Sequence, residues 1–410
     1  MLQHFFKPFK KFQKAYLAGI VTASADDDPS TISTYSIAGA TTGFSQLWLL
    51  LVSTPLLIAI HRMIARIGDV TKKGLITLIK EHFGRRVAFV CVTILLVVNL
   101  LTLIADIIGM AAGFQLLTGE NYLYFIIPLI IFVWYLVVFD TYDHIIRYFF
   151  WVAGVLIAYI LAGFLAQPDW GLVFRSVFWP PIEFNFTYIL VALGLLGATF
   201  SPFTFIWQTE EEIEERHNIN NAKKTDRAVA LGFVYSNLVA FFIIVASALI
   251  IKGGDVNLLT VKDIAQALTP VAGPWATKLF GLGLIGSGIL AIPILAVSSA
   301  YAVSEFFSWP EGLRLKPRRA KGFYALITFG FVFCLAALLF ELNPIKAMFF
   351  SQVLAGIVTP IILYFILRLA SSRKVMGSFC CSRWNVIAGW LTLILLSAGD
   401  ICLIYYLLSA

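Results

Sequence analysis

The chain has 410 residues, of which 60% are hydrophobic and only 13% charged. Soluble domains carry about 25% charged residues, so a water-facing globule is excluded and lipid must be the solvent. The net charge of +7 invites a nucleic-acid reading, but the positions of the basic residues exclude that too.

At the N-terminus, residues 1–14 interleave Phe5, Phe6, Phe9 and Phe12 with Lys7, Lys10, Lys11 and Lys14. With no long apolar stretch and no small-residue cleavage site, they are not a signal peptide. They are expected to form a cytoplasmic amphipathic arm at the interface. Beyond them, breaks at charge clusters and Pro/Gly turns divide the chain into roughly eleven apolar spans of about 20 residues or more. These are 15–43, 46–66, 86–117, 121–140, 143–166, 186–216, 227–252, 274–307, 321–341, 344–369 and 386–408. With the N-terminus inside, all 30 Lys and Arg fall in inside segments except Arg175, Lys252, Lys262, Lys278 and Lys346. The positive-inside rule sets that orientation, and an odd number of spans then leaves the C-terminus outside.

The first and sixth spans are interrupted. The first contains Asp26-Asp27-Asp28-Pro29-Ser30-Thr31, and the sixth Gly197-Ala198-Thr199-Phe200-Ser201-Pro202. Proline removes a backbone donor and clashes with the preceding turn. In hydrocarbon the freed groups are costly unless they line a cavity or bind something. Interruptions at corresponding places in two halves point to a midplane substrate site in an inverted-repeat transporter. A repeat of five spans puts the halves in opposite orientations, as units 15–166 and 186–369, with 386–408 as an appended eleventh helix. The fold class expected is an all-α polytopic membrane protein.

Three consecutive carboxylates inside an apolar span need a compensating partner, because insertion costs roughly 2.5–3.5 kcal/mol for each Asp at a span centre. Asp28 is expected to be the primary ligand of a cation, Asp27 the second, and Asp26 a vestibule or outer ligand. The partners within reach by sequence are the hydroxyls of Ser30, Thr31 and Ser201, the carbonyls around Gly197 and Ala198, and the Gln352 amide on the tenth span. No Cys, Met or His lies at either break, and such an all-oxygen set suits hard dications: Mg2+, Ca2+ and Mn2+. Mg2+ usually keeps several waters and touches one or two carboxylates.

The segments Asp28-Pro29-Ser30-Thr31, Ala38-Gly39-Ala40, Gly43-Phe44, Leu47-Trp48 and residues 65–71 resemble the first two helices of the NRAMP divalent-metal transporters. The resemblance extends to Ser201-Pro202-Phe203 and Ser351-Gln352-Val353, and so covers most of the chain. It implies an inverted five-plus-five repeat of the LeuT/APC type plus one helix, holding a divalent metal between helices 1 and 6. Against the family's Asp-Pro-Gly-Asn signature, Ser30 and Thr31 replace Gly and Asn. Against its Met-Pro-His signature, Ser201 and Phe203 replace Met and His. The position of a further helix 6 histidine, tied to proton coupling in the family, is held by Gln208. An acidic pair on helix 3 becomes Leu103 and Asp106. This pattern is similar to the NRAMP-related magnesium transporter branch. It implies uptake of Mg2+, with Mn2+ as well, and no obligatory proton symport.

Asp106, alone in the third span, is a candidate for the pathway along with Gln208 and Ser30. The glutamate run at residues 210–215 reads either as a field-focusing exit or as a solvated helix end partnered by Lys223 and Lys224. The five cysteines are scattered without metal-binding spacing, and no hydrolase, zincin or nucleotide motif is present, so no cofactor and no enzymatic role is expected. The expected partners are the transported dication and the bilayer of a prokaryotic inner membrane, with one protomer functional alone. Three rival readings follow: a proton-coupled Mn2+/Fe2+ importer, a sodium symporter for an organic solute, and a scaffold or sensor. The carboxylates at the break would repel an anionic solute.

Overall fold

The computed structural model describes residues 23, 26–139, 156–214, 222–251, 253–254, 259–335, 339–340 and 342–409. The N-terminal arm at 1–14 and most of the fifth span lie outside the described residues. All regular structure within them is helical.

Helices form where the apolar runs lie. They are α1 (Pro29–Thr42), α2 (Leu47–Thr71), α3 (Leu75–Phe83), α4 (Arg85–Thr118) and α5 (Leu123–Phe139). Next come α6 (Leu156–Leu165), α7 (Trp170–Phe178), α8 (Phe186–Thr199), α9 (Pro202–Glu214) and α10 (Ala222–Ile250). Beyond a run of short turns lie α11 (Ala276–Phe307), α12 (Lys321–Phe333), α13 (Pro344–Ala370) and α14 (Arg383–Ser409). Among the described residues, seven helical stretches are long and apolar enough to span a bilayer, with α6 and α7 making an eighth if their 114° bend is one broken span. The shorter α5 and α12 are also apolar.

The packing is that of two interlocked halves. α2 packs on α10, α4 runs along α11 in the most extensive helix pairing, and α5 meets α12. Each of these joins a helix within residues 29–139 to one within residues 222–333. The broken helices occupy the centre: nearly all of α1 and the stretch joining α8 to α9 are buried. Small residues permit the approach. A Cβ at Gly39 of α1 would collide with the Ile244 carbonyl of α10 and stand 2.9 Å from Ser247 Cβ. Outer faces present Leu51, Phe89, Val97, Ile131 and Tyr135, the apolar surface a lipid-solvated bundle requires. α14 is mostly exposed and packs on the rim against α2, α8 and α13.

Candidate metal site at two helix breaks

Both prolines start helices rather than kink them. Asp26 and Asp27 form a bend, Asp28 is extended (φ −71°, ψ 169°), and Pro29 opens α1. Proline is well suited to a first helical position, where its missing N–H has no partner to lose. Asp28 acts as N-cap, its Oδ1 accepting the Thr31 N–H at 2.6 Å. In the sixth span, Phe200 leaves helical geometry (φ −115°, ψ 55°), Ser201 is unwound, and Pro202 opens α9. Neither span is a continuous helix.

The three carboxylates are buried, with exposures of 2% for Asp26, 2% for Asp27 and 0% for Asp28. They do not share one partner. Asp26 lies against Ser201 across the second break. Asp27 Oδ1 accepts the Ser236 hydroxyl of α10 at 2.8 Å. Asp28 Oδ1 also receives the Gln352 amide of α13 at 3.4 Å. What they share is an unused oxygen: Asp26 Oδ1, Asp27 Oδ2, Asp28 Oδ2, Thr31 Oγ1 and Gln352 Oε1 are all buried without a hydrogen-bond partner. Buried carboxylate oxygens with neither water nor donor are costly, and a cation removes that cost. Among the described residues, no three acidic, His or Cys side chains converge in metal-binding geometry. Oxygen donors of this kind suit a hard dication.

Gly197 and Ala198 sit on the last turn of α8, where Gly197 meets α13 so closely that a Cβ would stand 2.5 Å from Gly356 N. Of the carbonyls freed at this break, that of Phe200 lies 2.8 Å from the Thr359 hydroxyl, whose single proton it shares with the Ala355 carbonyl at 2.7 Å. The Gly197 carbonyl receives only a long contact from Ser201 Oγ, at 3.3 Å.

Ser30 joins the break to α4. Its N–H and hydroxyl both donate to Asp106 Oδ1, at 3.1 and 2.6 Å, while Asp106 Oδ2 stays buried and unpartnered. Asp106 thus faces the site and is also fixed by a hydroxyl. Removing that hydroxyl in Ser30→Ala leaves the buried Asp106 carboxyl short of a partner, so thermal unfolding in detergent is expected to show a loss of about 1–3 kcal/mol. An unchanged unfolding temperature would refute the clamp. Gln208 lies deeper along α9, donating to Glu211 and Glu212 at 3.3 and 3.1 Å.

The reading of the glutamate run as a solvated helix end is corrected for Glu210, Glu211 and Glu212. All three are buried against neighbouring helices, and the side chains of Lys223 and Lys224 fall outside the described residues. Sequence reasoning also missed Ser236, whose apolar span offered no signal that it faces Asp27. It missed Met348 as well. The Met348 sulfur accepts the Ser33 hydroxyl at 3.2 Å, and both it and Pro29 Cβ flank Gly109, at 2.5 and 2.8 Å from where a Cβ would stand. A soft donor from α13 therefore lies one turn from the acidic break, although none lies in the break itself.

A buried acidic centre where α1 begins, beside the break between α8 and α9 in an apolar helical bundle, marks an integral multi-pass membrane protein of the transporter class. A family model described as natural resistance-associated macrophage protein-like (Nramp) matches residues 19–406, and the chain belongs to this family. It is 27% identical over 410 residues to the divalent metal cation transporter MntH of Levilactobacillus brevis, covering 94% of this chain and 87% of the relative. It is 26% identical over 400 residues to the MntH of Bacillus subtilis, covering 94% and 90%. Among solved structures, a mutant of the Eremococcus coleocola manganese transporter superposes with a TM-score of 0.78 at 19% identity, over 96% of this chain and 87% of that one. MhsT in complex with L-phenylalanine follows the same fold, with a TM-score of 0.62 at 13% identity over 94% and 98%. The relatives are transporters by name, not enzymes.

Proposed function

We propose that this chain is a secondary carrier of divalent metal cations, with Mn2+ as cargo, held between Asp28, Asp27, Thr31, Ser201 and Gln352. Asp26 and the carbonyls of Gly197 and Ala198 border the ion. The observation that carries the reading is the set of buried, unpartnered oxygens at two helix breaks. The names of the relatives and the sulfur of Met348 one turn away favour Mn2+. The Mg2+ preference and uncoupled transport implied by the magnesium branch gain no support from those relatives. Mg2+ remains a second reading on one observation: the donors at the breaks themselves are all oxygens, and hard ligands accept Mg2+ and Mn2+ alike.

Access alternates as α1 and α8–α9 rock against the other helices, within repeat units 15–166 and 186–369, with 386–408 outside both. The chain works as a single protomer in a bacterial inner membrane, with its N-terminus inside and its C-terminus outside. Asp106, joined to the break through Ser30, supplies a carboxylate able to take a proton. Proton coupling of a Mn2+/Fe2+ importer is therefore the companion reading to the cargo assignment.

Proteoliposomes loaded with a metal-sensitive dye and a pH dye test both. Mn2+ influx that Mg2+ competes with weakly, accompanied by lumenal acidification, is the expected result. Mg2+ influx without Mn2+ influx overturns the cargo, and Mn2+ influx at constant lumenal pH overturns the coupling.

A further inference from the structure

At the end of α9 remote from the break, a second set of carboxylates is buried. Glu210 of α9 and Glu305 of α11 are 5% and 2% exposed. They crowd the same point beside the chain, since a Cβ at Gly74 would collide with both Glu305 Oε2 and Glu210 Oε1. Glu305 Oε2 accepts the Thr77 N–H at 2.8 Å. Glu305 Oε1 and Glu210 Oε1 receive no donor from other residues, and neither does Glu311 Oε2 on the loop after α11, while the Glu210 and Glu305 carboxyls lie within hydrogen-bonding reach of each other.

Each neighbouring cation has at least one partner outside the Glu210–Glu305 pair, and the Lys80 charge also acts on Glu311. Lys80 Nζ donates to the carbonyls of Glu305 and Phe306 and to Ser308 Oγ. Lys73 pairs with Glu81, Lys72 with Asp69, and Arg314 with Glu214. A cleft of ≈ 520 Å³, lined among others by Gly74, Thr77, Glu210 and Glu311, opens onto this place. Two adjacent buried carboxylates cannot both ionise unless a positive charge joins them. Hard oxygens with room for water around them suit a dication that keeps part of its hydration shell.

We propose that Glu210 and Glu305, with Glu311 at the rim, form a second divalent-cation station at the end of α9, separate from the site at the breaks. The station rests on the cargo reading above, and the two can fail independently. An ion leaving or approaching the breaks along α9 would pause where Glu210 and Glu311 line the cleft, with Glu305 behind them, so the glutamate run would shape the path of the cargo.

The test is Mn2+ titration of the full-length protein in detergent, with free Mn2+ followed by its EPR signal. Wild type is compared with Asp28→Asn and with the double variant Glu210→Gln plus Glu305→Gln. The double variant is expected to lose one class of bound Mn2+ and keep the class that Asp28→Asn removes. Glu210→Gln alone, which preserves the bond between Glu305 and Thr77, serves if the double change prevents folding. Mn2+ binding equal to wild type in the glutamate variants overturns the station, since a shared proton would then join the pair. Full Mn2+ binding in Asp28→Asn would instead overturn the site at the breaks.

Discussion

Asp28→Asn is expected to fold normally and yet lose metal uptake. Asp28 has two roles that this substitution separates. Its Oδ1 caps α1 through the Thr31 N–H at 2.6 Å, and asparagine caps a helix about as well as aspartate. Its Oδ2 is buried and unpartnered, and there the negative charge is what a cation needs. Removing one partner of a buried charge interaction typically costs about 3–5 kcal/mol, or roughly 10²–10⁴-fold in affinity. Mn2+ uptake in proteoliposomes should fall by that order while thermal unfolding of the metal-free protein changes little. Uptake within a few-fold of wild type would remove Asp28 from the site. Asp27→Asn should do less damage to metal binding, because Ser236 already satisfies one of its oxygens.

The second large effect is steric. At Gly197 a Cβ would collide with the Gln352 carbonyl oxygen, and it would stand 2.5 Å from Gly356 N and 2.9 Å from Gly356 Cα. All three are backbone atoms, so no rotamer change relieves the clash and α8 must move away from α13. Gln352 is the residue that reaches Asp28 from α13, so the displacement reaches the metal site directly. Gly197→Ala is expected to destabilise the protein by about 1–3 kcal/mol, the usual range for overpacking, and to abolish uptake in whatever fraction folds. Gly399→Ala is the control. There a Cβ meets only the Leu193 side chain, at 2.8 Å from Cδ2, which can rotate aside. Equal losses for the two variants, read by thermal unfolding and by flux, would refute the close-crossing argument.

Much of this architecture is local in origin and was therefore legible in the residues. A hydrophobic run long enough to cross a bilayer becomes a helix wherever it lies, because the backbone has no other way to satisfy its polar groups in lipid. Asp28-Pro29 and Ser201-Pro202 announce their own interruptions, since proline acts on its own turn. Three adjacent aspartates in an apolar span require a charge partner whatever surrounds them.

The division of labour among the aspartates was not legible. Ser236 is 209 positions from Asp27, Gln352 is 324 from Asp28, and Asp106 is 76 from Ser30. Each pairing depends on how helices rotate about their axes when packed, and a nearly all-apolar helix shows no amphipathic stripe to reveal that rotation. The same limit hid Met348 beside Pro29 and the burial of Glu210 against Glu305 of α11. Sequence alone thus determined that this chain is an apolar helical membrane bundle, that helix is interrupted before Pro29 and before Pro202 and that the first interruption is acidic, because those are properties of short segments in a given solvent. Only the tertiary structure decided which oxygens are spent on protein donors and which are left for an ion, because that depends on side chains brought together from opposite ends of the chain.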